Sequence, residues 1–322
     1  MRAALRSPPS SVSIPVSAVE APASALPLRA VLMMILSAAL FGTMAILIRH
    51  ASEGMHPFQI AFFRSLFGAL AATPLLLRGG RALLHTDRLG FYVVRCGIGA
   101  LAMLASFWAI AHLPLAQAIA LSYSSPLFVT IGAVLFLGEI VRLRRWSAVI
   151  AGFIGVLVIV KPGTDGFTAA SLVALLGAAF SGAVTISIKF LSRSDPVDTI
   201  VLLTTWLWVP LSLPAALLVW QWPDASIWPW LIAIGILGTG GQYTWTHALR
   251  LAEASSLAPF SYLQLVIVAV LAWFAFGEVP DGWTALGAGI VVGSSLYIAR
   301  REARLARQRH REALAARTTP VV

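Results

Sequence analysis

Runs of about twenty apolar residues, with no acid in their middle, follow one another along this chain and leave few folds open. Crossing the roughly 30 Å hydrocarbon layer of a membrane takes about 20 predominantly apolar residues. Ten segments meet that need: residues 30–48, 57–77, 90–111, 115–137, 146–160, 168–188, 198–220, 227–249, 254–276 and 283–299. They are rich in Leu, Ala and Gly without period-two alternation, so they read as helices and not as barrel strands. Charged residues are only 11% of the 322 and hydrophobic ones 59%, against about 25% charged in soluble domains. The expected fold is an all-α integral membrane protein with ten transmembrane helices.

The chain also contains itself twice. Ser122-Tyr123 and Gly138-Glu139 recur as Ser261-Tyr262 and Gly277-Glu278, an offset of 139. Gly42 and Arg49 match Gly182 and Lys189, Pro57 matches Pro196, and Trp146 with Ala151-Gly152 matches Trp283 with Ala288-Gly289. Five spans per copy is an odd number, so the second copy enters the membrane upside down, a 5+5 inverted repeat. The expected organisation is a disordered cytoplasmic tail at 1–27, a first five-helix repeat at 28–163, a second at 164–300 and a basic cytoplasmic tail at 301–322.

Lys and Arg set the orientation. With the N-terminus inside, nineteen of the 23 fall in cytoplasmic segments and only Arg49 and Lys161 in outer loops; Arg64 and Arg95 lie within spans. The net charge of +10 therefore follows the membrane and gives no reason to expect nucleic acid. The Arg-rich tail after Arg300 suits a helix on anionic lipid, or equally a solvated orientation signal. The expected location is the cell inner membrane with both termini cytoplasmic.

Inverted repeats are a recurring construction of secondary transporters, with the solute site near the midplane between the halves. Candidate site residues come from the polar positions of the spans. Arg64 is the deepest charge, about 10 Å into the second span at 1.5 Å per residue, and reads as a counter-charge for a carboxylate or phosphate or as a snorkelling arginine. Arg95, nearer the cytoplasmic end of the third span, reads as snorkelling. Ser122, Tyr123 and Ser125 precede Pro126, whose missing N–H frees the Ser122 carbonyl. Ser261, Tyr262 and Gln264 echo them, with Ser106 and Trp108 on the third span and Gln242 and Trp245 on the eighth. Hydroxyl and aromatic groups together suit a small organic solute, and small hydroxylated residues also serve helix packing.

The spans offer no carboxylate relay, and His112 and His247 stand near span ends, so facilitated diffusion or exchange ranks above proton coupling. Glu139 and Glu278 read as matching helix-end markers. The single Cys96 excludes an intramolecular disulfide, no cluster has metal-ligand spacing, and no cofactor is expected. An intramembrane enzyme would need paired acids, a metal set or a nucleophile with its base, so none is expected here. Gly152-x-x-Gly155 and Gly289-x-x-x-Gly293 mark close helix packing, within the chain or in a homodimer.

Several stretches carry a family resemblance: Pro114-Leu115-Ala116 through Pro126-Leu127-Phe128, the Leu137-Gly138-Glu139 ending, and Gly152-x-x-Gly155 with Lys161-Pro162-Gly163. With the duplication, they make residues 30–300 resemble EamA-type members of the drug/metabolite transporter superfamily. The resemblance implies a pseudosymmetric helical basket around a central cavity. It implies transport of a small organic metabolite such as an amino acid, often outward, or uptake of a riboflavin- or S-adenosylmethionine-like compound. Leu265 stands where the first repeat has Pro126, a departure that sets the fourth and ninth spans apart.

Overall fold

The structure, a computed structural model, describes residues 27–80, 83, 86, 88–137, 143–161, 168–191, 195–251, 257, 260–294, 296–297, 300, 304 and 308. The tail at 1–26, Glu139, Glu253, Ser255, Ser256, Pro259 and nearly all of the basic tail lie outside the described residues, as do the side chains of some helical residues, Lys189 among them.

The described elements are helices: α1 Leu28–Ala51, α2 Pro57–Gly79, α3 Leu89–His112, α4 Leu115–Ser122, α5 Ser125–Leu137, α6 Leu143–Val160, α7 Ala169–Leu191, α8 Val197–Leu217, α9 Trp228–Leu251 and α10 Leu263–Phe276. A further apolar helix, α11, runs Gly282–Ser294. Six helical stretches are long and apolar enough to cross a membrane: α1, α2, α3, Leu115–Gly132, α7 and α8. Helix α9 has the length, 24 residues or about 36 Å, but dilutes its apolar content with Thr239, Gln242, Thr244 and Thr246. Large side chains such as Leu32, Leu77, Val94, Ile150 and Phe274 are exposed on the outside of the bundle. In water such a surface would drive association; against hydrocarbon it is the expected one. The chain is a multi-pass membrane protein.

Packing runs mainly between the two halves of the sequence. Helix α1 packs on α9 and α10, α2 on α8 and α9, α3 on α7 and α8, and α7 also on α4 and α5. The sequence duplication equates α1 with α7, α2 with α8, α3 with α9 and the α4–α5 pair with α10. Exchanging those equivalents turns α1–α9 into α7–α3, α2–α9 into α8–α3 and α1–α10 into α7–α4–α5, while α2–α8 maps onto itself. Each repeat thus supplies the other's core, and one large apolar cluster draws on α1 to α4 and α6 to α11. Gly152-x-x-Gly155 is internal, the Gly155 backbone lying against Gly287 of α11, whereas Gly289 and Gly293 face open space.

The fourth expected span, 115–137, is two helices: α4 ends at Ser122 and α5 begins at Ser125. Pro126 cannot continue the ladder, and the chain turns through Tyr123 and Ser124, with Ser124 N donating to Leu121 O at 3.0 Å. Tyr262 occupies the equivalent turn before α10, with φ/ψ of −67°/−14° against −72°/−1° at Tyr123. The break is therefore present in both repeats although Leu265 replaces the proline.

Candidate functional site

Arg64, on α2, is 4% exposed and buried where α2, α3, α8 and α9 meet. Its Nη1 reaches Met103 Sδ on α3 at 3.6 Å, and its Cζ lies 4.7 Å from the centre of the Trp208 ring on α8. The guanidinium fits because Gly238 of α9 has no side chain: a Cβ there would stand 2.8 Å from Arg64 Nε. Among the described residues no carboxylate pairs with it. Three buried polar atoms around this crossing lack a hydrogen-bond partner: Arg64 Nε, Trp208 Nε1 and Thr239 Oγ1. The Arg64 and Trp208 nitrogens are donors and the Thr239 hydroxyl can donate or accept, and such groups seldom stay unpaired in an interior. Arg64 brings a positive charge to this buried crossing, which an acceptor such as a carboxylate or phosphate would offset.

The duplicated Ser-Tyr pairs meet directly. Tyr123 donates its hydroxyl to the Ser261 carbonyl at 2.7 Å, and its ring stands edge-on to Tyr262 with centroids 4.8 Å apart. The two helix breaks, one from each repeat, are thereby joined. Other sequence candidates are scattered. Ser106 donates to Ala102 O and Ser122 to Ile119 O, each within its own helix, the usual way for a hydroxyl in apolar surroundings to find an acceptor. Trp108 is near the α3 end, its ring stacked on His112 at 3.9 Å. Trp245 packs against the small cluster of Ala30, Met34, Ala248 and Leu257. Ser125, Gln242 and Gln264 are half-buried.

Arg95 does not snorkel. It is 3% exposed and turns inward to donate from Nη1 to Thr204 Oγ1 on α8 at 2.7 Å. A hydroxyl on the facing helix is a nearer partner than the interface. His112 binds Trp108 O through Nδ1 at 2.8 Å, and His247 lies 3.8 Å from Asp198 across the α8–α9 contact.

Both ends of the bundle are tied between repeats. At the end formed by the α1–α2 and α3–α4 connections, Arg49 Nη2 meets Glu278 Oε1 at 3.2 Å, and Nη1 donates to Ala111 O at 2.6 Å. Glu278 also accepts from Leu115 N at 2.9 Å, so one carboxylate holds α1 and caps α4. Gly277 makes this possible: with φ of 67° it ends α10 in the left-handed conformation that suits glycine and turns the chain toward Arg49. Glu278 is therefore an inter-repeat ion-pair partner as well as a helix-end marker. Lys161 pairs with Asp281 across the repeats, and Asp281 caps α11 by accepting from Thr284 N at 2.9 Å. The Lys161 ammonium, aided by Thr284, holds the Asp281 carboxyl down at about 2. Near the same end His56 caps α2, its Nδ1 accepting from Phe58 N at 3.2 Å. Burial, helped by the neighbouring His112, keeps its imidazole below the usual histidine range. At the opposite end Asp195 accepts from Tyr92 OH at 2.8 Å and from Thr86 Oγ1 at 3.3 Å.

The sequence pattern of the EamA-like transporter family matches residues 28–161 and again 168–300. This chain belongs to that family. The EamA pattern thus falls on each half of the duplication, in line with the drug/metabolite-transporter resemblance carried by the Pro114–Phe128 stretch. A riboflavin transporter of Brucella anthropi is 35% identical over 253 residues, 76% of this chain and 88% of that protein. An S-adenosylmethionine uptake transporter of Rickettsia felis is 30% identical, over 81% and 89%. The pseudopaline exporter CntI of Pseudomonas aeruginosa is 31% identical, over 84% and 95%. A crystal structure 21% identical to this EamA chain shares its fold, with a TM-score of 0.60 over 85% of this chain and 98% of the other.

Trp208, Thr239 and Gly238 escaped the sequence reading because only their assembly around Arg64 makes them notable. Arg49, Lys161, Glu278 and Asp281 carried a usable signal: two cations that stand apart from the other Lys and Arg in the sequence each face an acid of the other repeat.

Proposed function

We propose that this EamA-type transporter moves a small carboxylate-bearing organic metabolite, such as an amino acid or a related compound, across the inner membrane by alternating access. The observation that carries this reading is the buried, unpartnered Arg64 Nε, with Trp208 Nε1 and Thr239 Oγ1 also unpartnered near the same crossing. A buried arginine without a counter-ion is costly in a membrane, and a solute carboxylate would supply the missing acceptor. Two inverted five-helix repeats in a ten-span basket provide the movement. The matched packing pairs support that architecture, and the self-paired α2–α8 contact, which carries Arg64 and Trp208, would lie on the pseudo-two-fold axis. Alternation then releases the Arg49–Glu278 and Lys161–Asp281 ties on the outer side while the Asp195 ties hold on the cytoplasmic side, and the reverse. Both termini are cytoplasmic in this reading, from the nineteen-to-two bias of Lys and Arg. Tyr123, Ser261 and Tyr262 are the mechanical joint between the halves, and the half-buried Ser125, Gln242 and Gln264 line the path.

A second reading is uptake of a vitamin or a nucleoside-like cofactor. It is supported by the relatives named for riboflavin and S-adenosylmethionine uptake, at 35% and 30% identity. Counterflow in proteoliposomes separates the two. Liposomes preloaded with unlabelled solute are given the labelled form of an amino acid, riboflavin or S-adenosylmethionine, each in turn. Accumulation of labelled amino acids supports the first reading; accumulation of riboflavin alone replaces it with the second.

A further inference from the structure

Between the repeats at the outer end lies a cavity of about 190 Å³, with Gln117, Ile159 and Lys161 from the first half and Ala269, Asp281 and Thr284 from the second on its walls. It is smaller than the roughly 300–1,000 Å³ of pockets that hold drug-sized ligands, so its occupant is small. Its lining mixes two chemistries: apolar Ile159, Ala269, Ala272 and Val279, and the oppositely charged Lys161, Asp281 and Glu278. The Lys161–Asp281 pair is partly in solvent, with side chains 32% and 45% exposed, and such wet pairs add little to stability. Lys161 is also the one non-glycine residue of positive φ, 50°, among the described residues, a conformation most side chains avoid.

We propose that this cavity is a second solute site, taking a small zwitterion with an aliphatic side chain. The solute carboxylate replaces Asp281 on Lys161, its ammonium replaces Lys161 on Asp281, and its side chain meets the apolar lining. One protein ion pair becomes two protein–solute pairs, so charge stays balanced throughout. Lys161 and Asp281 belong to different repeats, and the exchange therefore unties this pair: occupancy loosens the outer closure, while Glu278 still holds Arg49 and Leu115 N. The inference rests on the reading that the chain carries a carboxylate-bearing solute, and it adds an outer site where that solute is first met.

Binding of tritiated L-leucine to the full-length chain in nanodiscs tests it. Saturable binding is expected, displaced at least tenfold more weakly by 3-methylbutylamine, which lacks the carboxylate, and by 4-methylpentanoate, which lacks the amine. Along alanine, 2-aminobutyrate and norvaline, affinity should rise roughly fourfold per buried methylene. Asp281→Asn and Lys161→Gln should each weaken leucine about tenfold. Equal displacement by the amine or by the acid overturns the site, and the wild-type chain alone yields that result. Leucine binding that both variants leave intact, or that Arg64→Met alone removes, places the solute elsewhere and also overturns it. The transport reading fails separately, by absence of counterflow for every solute tested.

Discussion

At Arg64 the balance between stability and function is unusually exposed. The guanidinium sits in apolar surroundings with a ring, a thioether and no anion. Removing one partner of a buried ion pair strands a charge, but here the charge is already stranded, so removing it should cost the fold nothing. The expected result for Arg64→Met is a melting temperature at or above that of the wild type. A clearly lower value would mean that the arginine is structural. Gly238→Ala tests the same crossing from the facing helix: the new Cβ would lie 2.8 Å from Nε, so the guanidinium must shift, and transport should fall while the chain still folds. His56 gives a pH signature. Its folded value is depressed by burial and His112, so the unfolded chain binds more protons near and below the ordinary value of 6.5. Stability linked to His56 is full above that value and falls as the solution is acidified. Melts at pH 7.5 and 5.0 should differ less in His56→Asn, which keeps a capping acceptor without the titration.

At the level of helices, what matters is how breaks and ends are joined. Tyr123→Phe removes the bond to the Ser261 carbonyl and should cost about 0.5–1.5 kcal/mol in unfolding free energy. Asp281 has two roles that substitutions separate: Asp281→Asn keeps the α11 cap, whereas Asp281→Ala loses it and should cost about 1 kcal/mol more. Glu278 holds Arg49 and the α4 N-terminus together, so Glu278→Gln should favour the form open to the outside. With Cys96 replaced by Ala and a cysteine placed at Gln117, an impermeant maleimide added outside should react several-fold faster in the Glu278→Gln background. An unchanged rate would mean that this contact does not close the face. The sequence foresaw the α4–α5 break only in part. Pro126 announced a freed carbonyl, yet the apolar run passes through it unbroken, and hydropathy cannot register a single turn. The matching break at Tyr262 has no proline to announce it and was legible only through the duplication.

For the whole molecule, most of the architecture is written in pattern. Apolar runs declare helices in lipid, the offset of 139 declares two equivalent units, and Arg49 and Lys161 stand out as lone cations of their face. What pattern could not convey is which polar residues converge. Ser106 and Ser122 looked like solute ligands but bind their own helices, since a hydroxyl in an apolar setting takes the nearest carbonyl. Arg95 looked like an interfacial residue and instead bridges to Thr204, because the facing helix is set by the fold and not by local sequence. Arg64, which reads from sequence either as a counter-charge or as a snorkelling arginine, is buried in the structure with no described carboxylate paired to it. The most direct test of the account is therefore counterflow of labelled amino acids in proteoliposomes holding wild-type, Arg64→Lys or Arg64→Met protein. Wild type should accumulate label, Arg64→Lys should retain part of the rate, and Arg64→Met should fall at least about tenfold, the equivalent of about 1.4 kcal/mol. Equal accumulation by wild type and Arg64→Met would contradict it.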